Sequence, residues 1–148
     1  LLDADGDALL HGIEGGPTVV TPNQPEAERL LNRALLTRNQ FLEAVQRIKA
    51  MGPESVILSL GSRGVVATDG TEMIEALPPR IDALCPLGAG DALAAAFTWS
   101  MSRKRPFADA VRWGVAAGTA SAAMPGMTFA DLAKTKETYR HVTVRPAH

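Results

Sequence analysis

The chain has 148 residues, 46% of them hydrophobic and 21% charged, with 15 basic against 16 acidic side chains and a net charge of −1. Nothing in that balance suggests a nucleic-acid or membrane-surface partner, which would need a basic excess on one face, and no apolar run reaches the length of a bilayer span. A single cysteine, Cys85, excludes an internal disulfide and fits a reducing, cytoplasmic setting, while the start lacks the basic and apolar stretches of a signal peptide.

Leu1 to Asp3 reads as the end of a strand, with Asp5-Gly6 as the turn behind it. The chain opens without Met, and a strand end with no polar lead-in is expected to follow further residues upstream. A short helix is predicted over Ala8 to Ile13, closed by Glu14-Gly15-Gly16, and a β-branched strand over Thr18 to Thr21, stopped by Pro22. Pro25 to Leu31 reads as a helix. Asn39 to Ala50 reads as another, with Phe41, Ala44, Val45 and Ile48 at i, i+3, i+4 and i+7 on one apolar face. Ser55 to Leu60 is a nearly continuous apolar run, as in a parallel strand covered on both faces. Val65 to Thr68 and Thr71 to Ala76 flank Asp69-Gly70, which suits a tight hairpin turn. An irregular stretch follows from Pro78-Pro79 to Gly88. Ala89 to Ser102, with Leu93, Phe97 and Trp99, reads as a buried helix. Pro106 is placed to open the next, running to about Ala123 with Phe107, Ala110, Val111, Gly114 and Val115 inward and Gly126 as its breaker. A last helix from Ala130 and an edge strand over His141 to Arg145 complete the series.

Strands alternating with helices, with no repeat or linker to divide them, predict one α/β layered domain over 1–148 with a mostly parallel sheet. Open α/β sheets bind ligands at the carboxyl ends of their strands. That rule singles out three motifs. Leu87-Gly88-Ala89-Gly90-Asp91 enters the Ala-rich helix, where small residues admit a ligand, first-turn N–H groups are unpaired, and Asp91 could accept a proton from an attacking hydroxyl. Ordinary turn glycines and dipole compensation by Asp91 would give the same residues. Asn23-Gln24-Pro25-Glu26 follows a strand and could organise Mg²⁺-bound water and phosphate, Glu26 acting through water. It is equally the spacing of a capping box, which Thr37-Arg38-Asn39-Gln40 repeats. Ser59-Leu60-Gly61-Ser62-Arg63-Gly64 could line a nucleotide phosphate or ribose, or simply turn the chain between two strands.

The order of these motifs, together with Leu2-Asp3-Ala4-Asp5-Gly6 at the start, resembles the ribokinase-like (PfkB) carbohydrate kinases over nearly the whole chain, as their C-terminal, nucleotide-binding half. Within that family, Thr21-Pro22-Asn23 and Pro86-Leu87-Gly88 are most similar to the phosphofructokinase and tagatose-phosphate kinase branch. The resemblance implies ATP with Mg²⁺, a sugar or sugar-phosphate acceptor, and a homodimeric parent. It implies Asp91 as catalytic base and Gly88, Ala89 and Gly90 as an anion hole. Asn23 and Glu26 would place Mg²⁺ and phosphate, and Ser59, Gly61 and Gly64 would lie along ATP. Gly118, within Ala116-Ala117-Gly118, and Gly126 would lie near the adenine. Two positions depart from the pattern: Cys85-Pro86 replaces a more polar pair, and Thr21 stands where Lys often precedes Pro-Asn. The sugar-binding half with its lid is absent from these residues. A kinase for a free sugar or nucleoside, and a nucleotide-binding piece inert by itself, remain open alternatives. His11, His141 and His148 lack metal-ligand spacing, Cys85 reads as a buried thiol, Ser102-Arg103-Lys104-Arg105 as a solvated helix end, and Trp99 and Trp113 as core.

Overall fold

The computed structural model describes residues 1–147, so His148 lies outside the described residues. Among these residues the chain forms α1 (Gly6–Glu14), β1 (Val19–Val20), α2 (Gln24–Leu31), α3 (Arg38–Ala50), β2 (Ser55–Ser59), β3 (Val65–Thr68), β4 (Met73–Leu77), α4 (Ala89–Ser102), α5 (Phe107–Ala122), α6 (Leu132–Tyr139) and β5 (Thr143–Pro146). No helix among them is long and apolar enough to cross a membrane. The α/β class therefore stands as expected, and the strands lie in one sheet in chain order, β1-β2-β3-β4-β5.

The sheet is mixed. β1 and β2 run parallel, as the sequence suggested, but β2 and β3 are antiparallel, with Ser59 opposite Val65. Only five residues separate those strands, too few for a parallel crossover, and a 3₁₀ turn over Gly61–Arg63 reverses the chain. The expected tight turn at Asp69-Gly70 is wider, because β4 begins at Met73. Asp69 holds it, its carboxylate accepting from the N–H of Thr71 at 2.8 Å and of Glu72 at 3.0 Å.

The chain divides into two compact units, each with its own packing. One comprises Leu1–Gly61, Val65–Glu75 and the described end of the chain from Pro146. Its core gathers Leu9 and Ile13 of α1, Val20 of β1, Phe41, Ala44, Val45 and Ile48 of α3, and Val56, Leu58 and Val66 from the sheet. The apolar face read from the helical spacing of α3 is thus the face that is buried. Leu2 joins β1 through a parallel bridge to Val20. Glu75 is 6% exposed yet charged, which is tolerable because Arg38 grips both carboxylate oxygens at 2.9 Å. Arg38→Ala should cost about 1–3 kcal/mol by removing the two guanidinium hydrogen bonds to that carboxylate. Urea unfolding would check this, with the Arg38→Ala/Glu75→Ala double variant recovering part of the loss.

The other unit comprises Ser62–Gly64 and Ala76–Arg145, and is built on α4, α5 and α6. Phe97 of α4 meets Phe107 of α5 edge-on at 5.9 Å, and Trp113 of α5 stacks on Tyr139 of α6 at 4.4 Å. All five positions expected inward on α5, from Phe107 to Val115, are buried. Trp99 differs from its expected core place. It is half-buried, edge-on to Trp113, with Arg103 and Arg105 over its ring at 5.3 and 5.4 Å. Cys85 is likewise half-buried rather than interior.

Candidate functional site

The residues singled out by sequence fall into two groups, one in each unit. In the first unit, β1 and β2 end side by side: Ser59 donates its N–H to the Pro22 carbonyl at 3.0 Å, and Asn23 bridges Ser59. The strand-end Asn and Ser are therefore neighbours although 36 positions apart, with Gly61 two residues beyond Ser59. Gly61 is exposed at φ +62°, and the space beside its Cα is open.

Asn23 and Glu26 form the capping box that their spacing allows. Glu26 N–H donates to Asn23 Oδ1 at 2.9 Å, and Asn23 N–H to Glu26 Oε2 at 2.8 Å. The Thr37–Gln40 pair does the same at the start of α3. Capping engages only part of Glu26, since Oε2 alone is drawn to Asn23. Partial burial raises the Glu26 carboxyl above its ordinary value, the Asn23 N–H pulls the other way, and the charges of Asp3 and Asp5 add to the rise. Arg29, paired with Asp5 at 2.6 Å, opposes that rise and already supplies a positive charge beside Glu26. Among the described residues no group of three His, Cys, Asp or Glu side chains could hold a metal.

In the second unit, Gly88 caps α4 at φ +85°, a left-handed conformation that costs a side-chain-bearing residue about 1–2 kcal/mol. The Phe129 ring sits beside it, 3.1 Å from where a Cβ would lie. The first helical bond runs from Ala92 N–H to Gly88 O at 3.0 Å. Before it, Ala89 N–H turns to Pro86 O at 3.1 Å, so that donor of the expected anion hole is engaged within the turn. Gly90 and Asp91 hold first-turn positions whose N–H groups have no intrahelical acceptor, and the space beside Gly90 is open. Asp91 is exposed in that same turn, so one helix start combines N–H donors, the positive end of the helix dipole and a carboxylate.

Asp91 also lines a pocket of about 490 Å³ in this unit. Its walls are Ala92, Ala95, Ala96 and Trp99 of α4, Trp113 and Ala117 of α5, and Phe129 and Leu132 beyond. Ala92, Ala95, Ala96 and Trp99 follow the i, i+3, i+4, i+7 rule from the first turn, so this stripe could have been read from the sequence. Phe129 and Leu132 carried no such signal.

Three of the expected ligand glycines have structural neighbours instead of open space or stand apart. Gly64, at φ +86°, is buried against Ala76, and Gly118 is buried against the first residue of α4. Gly126 is exposed at φ +65° in the loop after α5, with nothing within 4 Å of a Cβ there. His11 and His141 are exposed, and His11 lies 3.5 Å from Glu14.

Residues 1–134 match the pfkB family carbohydrate kinases. The chain belongs to that family. It is 30% identical over 145 residues to the ATP-dependent 6-phosphofructokinase isozyme 2 of Escherichia coli, covering 97% of this chain and 47% of that protein. It is 26% identical over 131 residues to the 1-phosphofructokinase of Vibrio cholerae, covering 88% of this chain and 41% of that protein. Among solved structures it superposes on phosphofructokinase-2 from Escherichia coli in complex with potassium, with a TM-score of 0.89 and 31% identity over 93% of this chain and 45% of that one. This pfkB chain therefore spans about half the length of the curated relatives it matches.

Proposed function

We propose that the full-length protein carrying this pfkB chain transfers a phosphoryl group from ATP to a hydroxyl of a sugar phosphate of the fructose- or tagatose-phosphate type. The observation that carries the reading is the start of α4, where unpaired N–H groups and the exposed Asp91 carboxylate share one helical turn. Phosphoryl transfer asks little covalent chemistry of a protein beyond placement, charge neutralisation and one base. The unpaired N–H groups of this helix start, that of Gly90 among them, backed by the dipole of a 14-residue helix, offset charge that develops on the transferring group. Ala89 keeps the backbone accessible through its small side chain. Asp91 takes the proton of the attacking hydroxyl through a carboxylate oxygen.

Asn23 and Glu26 are assigned to Mg²⁺ and phosphate, with Glu26 acting through water, and Ser59 and Gly61 to ATP. Mg²⁺, when bound, neutralises phosphate charge. Relatives named as phosphofructokinases favour a sugar-phosphate acceptor over a free sugar or nucleoside. A cytoplasmic, homodimeric parent accompanies this reading.

Calorimetric titration with Mg·ATP tests it. The full-length protein should bind one equivalent per chain, and phosphotransfer to fructose phosphates should exceed that to free sugars by at least tenfold. A folded protein that neither binds Mg·ATP nor turns over would overturn the proposal.

A further inference from the structure

We propose that Gly118 is a positioning residue for Asp91, setting where α4 begins by seating the backbone of that helix directly on α5. The inference rests on the assignment of Asp91 as base. A Cβ built on Gly118 would lie 2.9 Å from the Ala89 carbonyl oxygen and 3.6 Å from Leu93 Cβ. One turn earlier on α5, a Cβ on Gly114 would lie 3.1 Å from the Leu93 carbonyl and 3.2 Å from Leu93 Cγ. The two glycines, four residues apart, therefore share one face of α5, and two carbonyls of α4, also four residues apart, rest on them.

The two seats have different consequences. The Gly118 seat bears on Ala89, the first residue of α4, between the Gly88 cap and Gly90-Asp91. The obstructing atom is backbone, so no rotamer change relieves a methyl group there; the helix start itself must move. The Gly114 seat bears on Leu93, past the first turn, and part of what it meets is a flexible side chain. A displacement of a few tenths of an ångström at Ala89 is passed directly to the Asp91 carboxylate and the neighbouring N–H groups. Misplacement on the 1 Å scale can cost about 100-fold in rate.

The test uses the full-length protein and four variants. Gly118→Ala should lower kcat about tenfold or more while the KM for Mg·ATP stays within about threefold. It should also shift the amide resonances of Gly90 and Asp91. Gly114→Ala should melt at a similarly lowered temperature yet keep kcat within about threefold. Leu93→Ala removes side-chain packing on α5 but leaves both carbonyl seats, and should likewise keep kcat within about threefold. That variant decides the matter even where Gly118→Ala does not fold, since a tenfold loss of kcat there means that ordinary side-chain packing places the helix. Unchanged kcat in Gly118→Ala, or a raised KM for ATP at unchanged kcat, also overturns the proposal, the latter by making Gly118 a nucleotide contact. Asp91→Ala separates the two levels of inference. If it keeps full turnover, the base assignment fails, and unshifted Gly90 and Asp91 resonances in Gly118→Ala then overturn the seating by itself.

Discussion

Asp91→Ala in the full-length protein should reduce turnover by roughly 10²–10⁴-fold, the range that a positioned general base contributes. That loss corresponds to about 3–5 kcal/mol of transition-state stabilisation. Affinity for Mg·ATP should be unchanged or slightly improved. The carboxylate is assigned to the acceptor hydroxyl and not to the nucleotide, and its removal takes a negative charge away from the phosphates. The competing view of Asp91, as a first-turn acid that merely offsets the helix dipole, predicts something else. It allows a stability loss of about 0.3–1 kcal/mol and no specific loss of rate. Steady-state kinetics beside a thermal melt separates the two, and near-normal turnover with a slightly lowered melting temperature would leave Asp91 a dipole partner only.

What the sequence showed and hid follows from the range of the forces involved. Local signals were legible. The apolar spacing of Phe41, Ala44, Val45 and Ile48 named the buried face of α3, and the Asn23–Glu26 and Thr37–Gln40 spacings named two capping boxes that both form. The ordered motifs were also enough to indicate the family. Pairing direction was less legible, because a buried apolar strand reads alike beside a parallel or an antiparallel neighbour. The short link from Ser59 to Val65 carried the better signal. Least legible were the glycines. Gly61, Gly64, Gly90 and Gly118 are identical in sequence terms, yet two face open space and two receive carbonyl oxygens from distant positions. Only tertiary packing separates them.

Gly64→Ala is where that difference has its largest expected consequence. Two costs act together. The φ of +86° charges any residue with a Cβ about 1–2 kcal/mol, and the Cβ itself would lie 2.1 Å from the Ala76 carbonyl oxygen. Ala76 belongs to β4, so the obstruction is strand backbone that cannot rotate aside. Either the turn opens or the strand retreats, and hydrogen bonds or burial are lost in both cases. A total loss of about 4 kcal/mol or more is expected, a large part of the 5–15 kcal/mol that typically holds a domain together. Gly61→Ala is the matched control, since Gly61 has φ +62° but nothing within 4 Å of its Cβ position. It should lose only the conformational part, about 1 kcal/mol. Hydrogen exchange of the β3 and β4 amides, with urea unfolding of both variants, reads the contrast. Equal losses would show that backbone conformation alone, and not the approach of Ala76, fixes glycine at position 64. If Gly64 instead served chiefly to admit a phosphate, its alanine variant would keep full amide protection and lose Mg·ATP affinity, an outcome opposite to the one the packing requires.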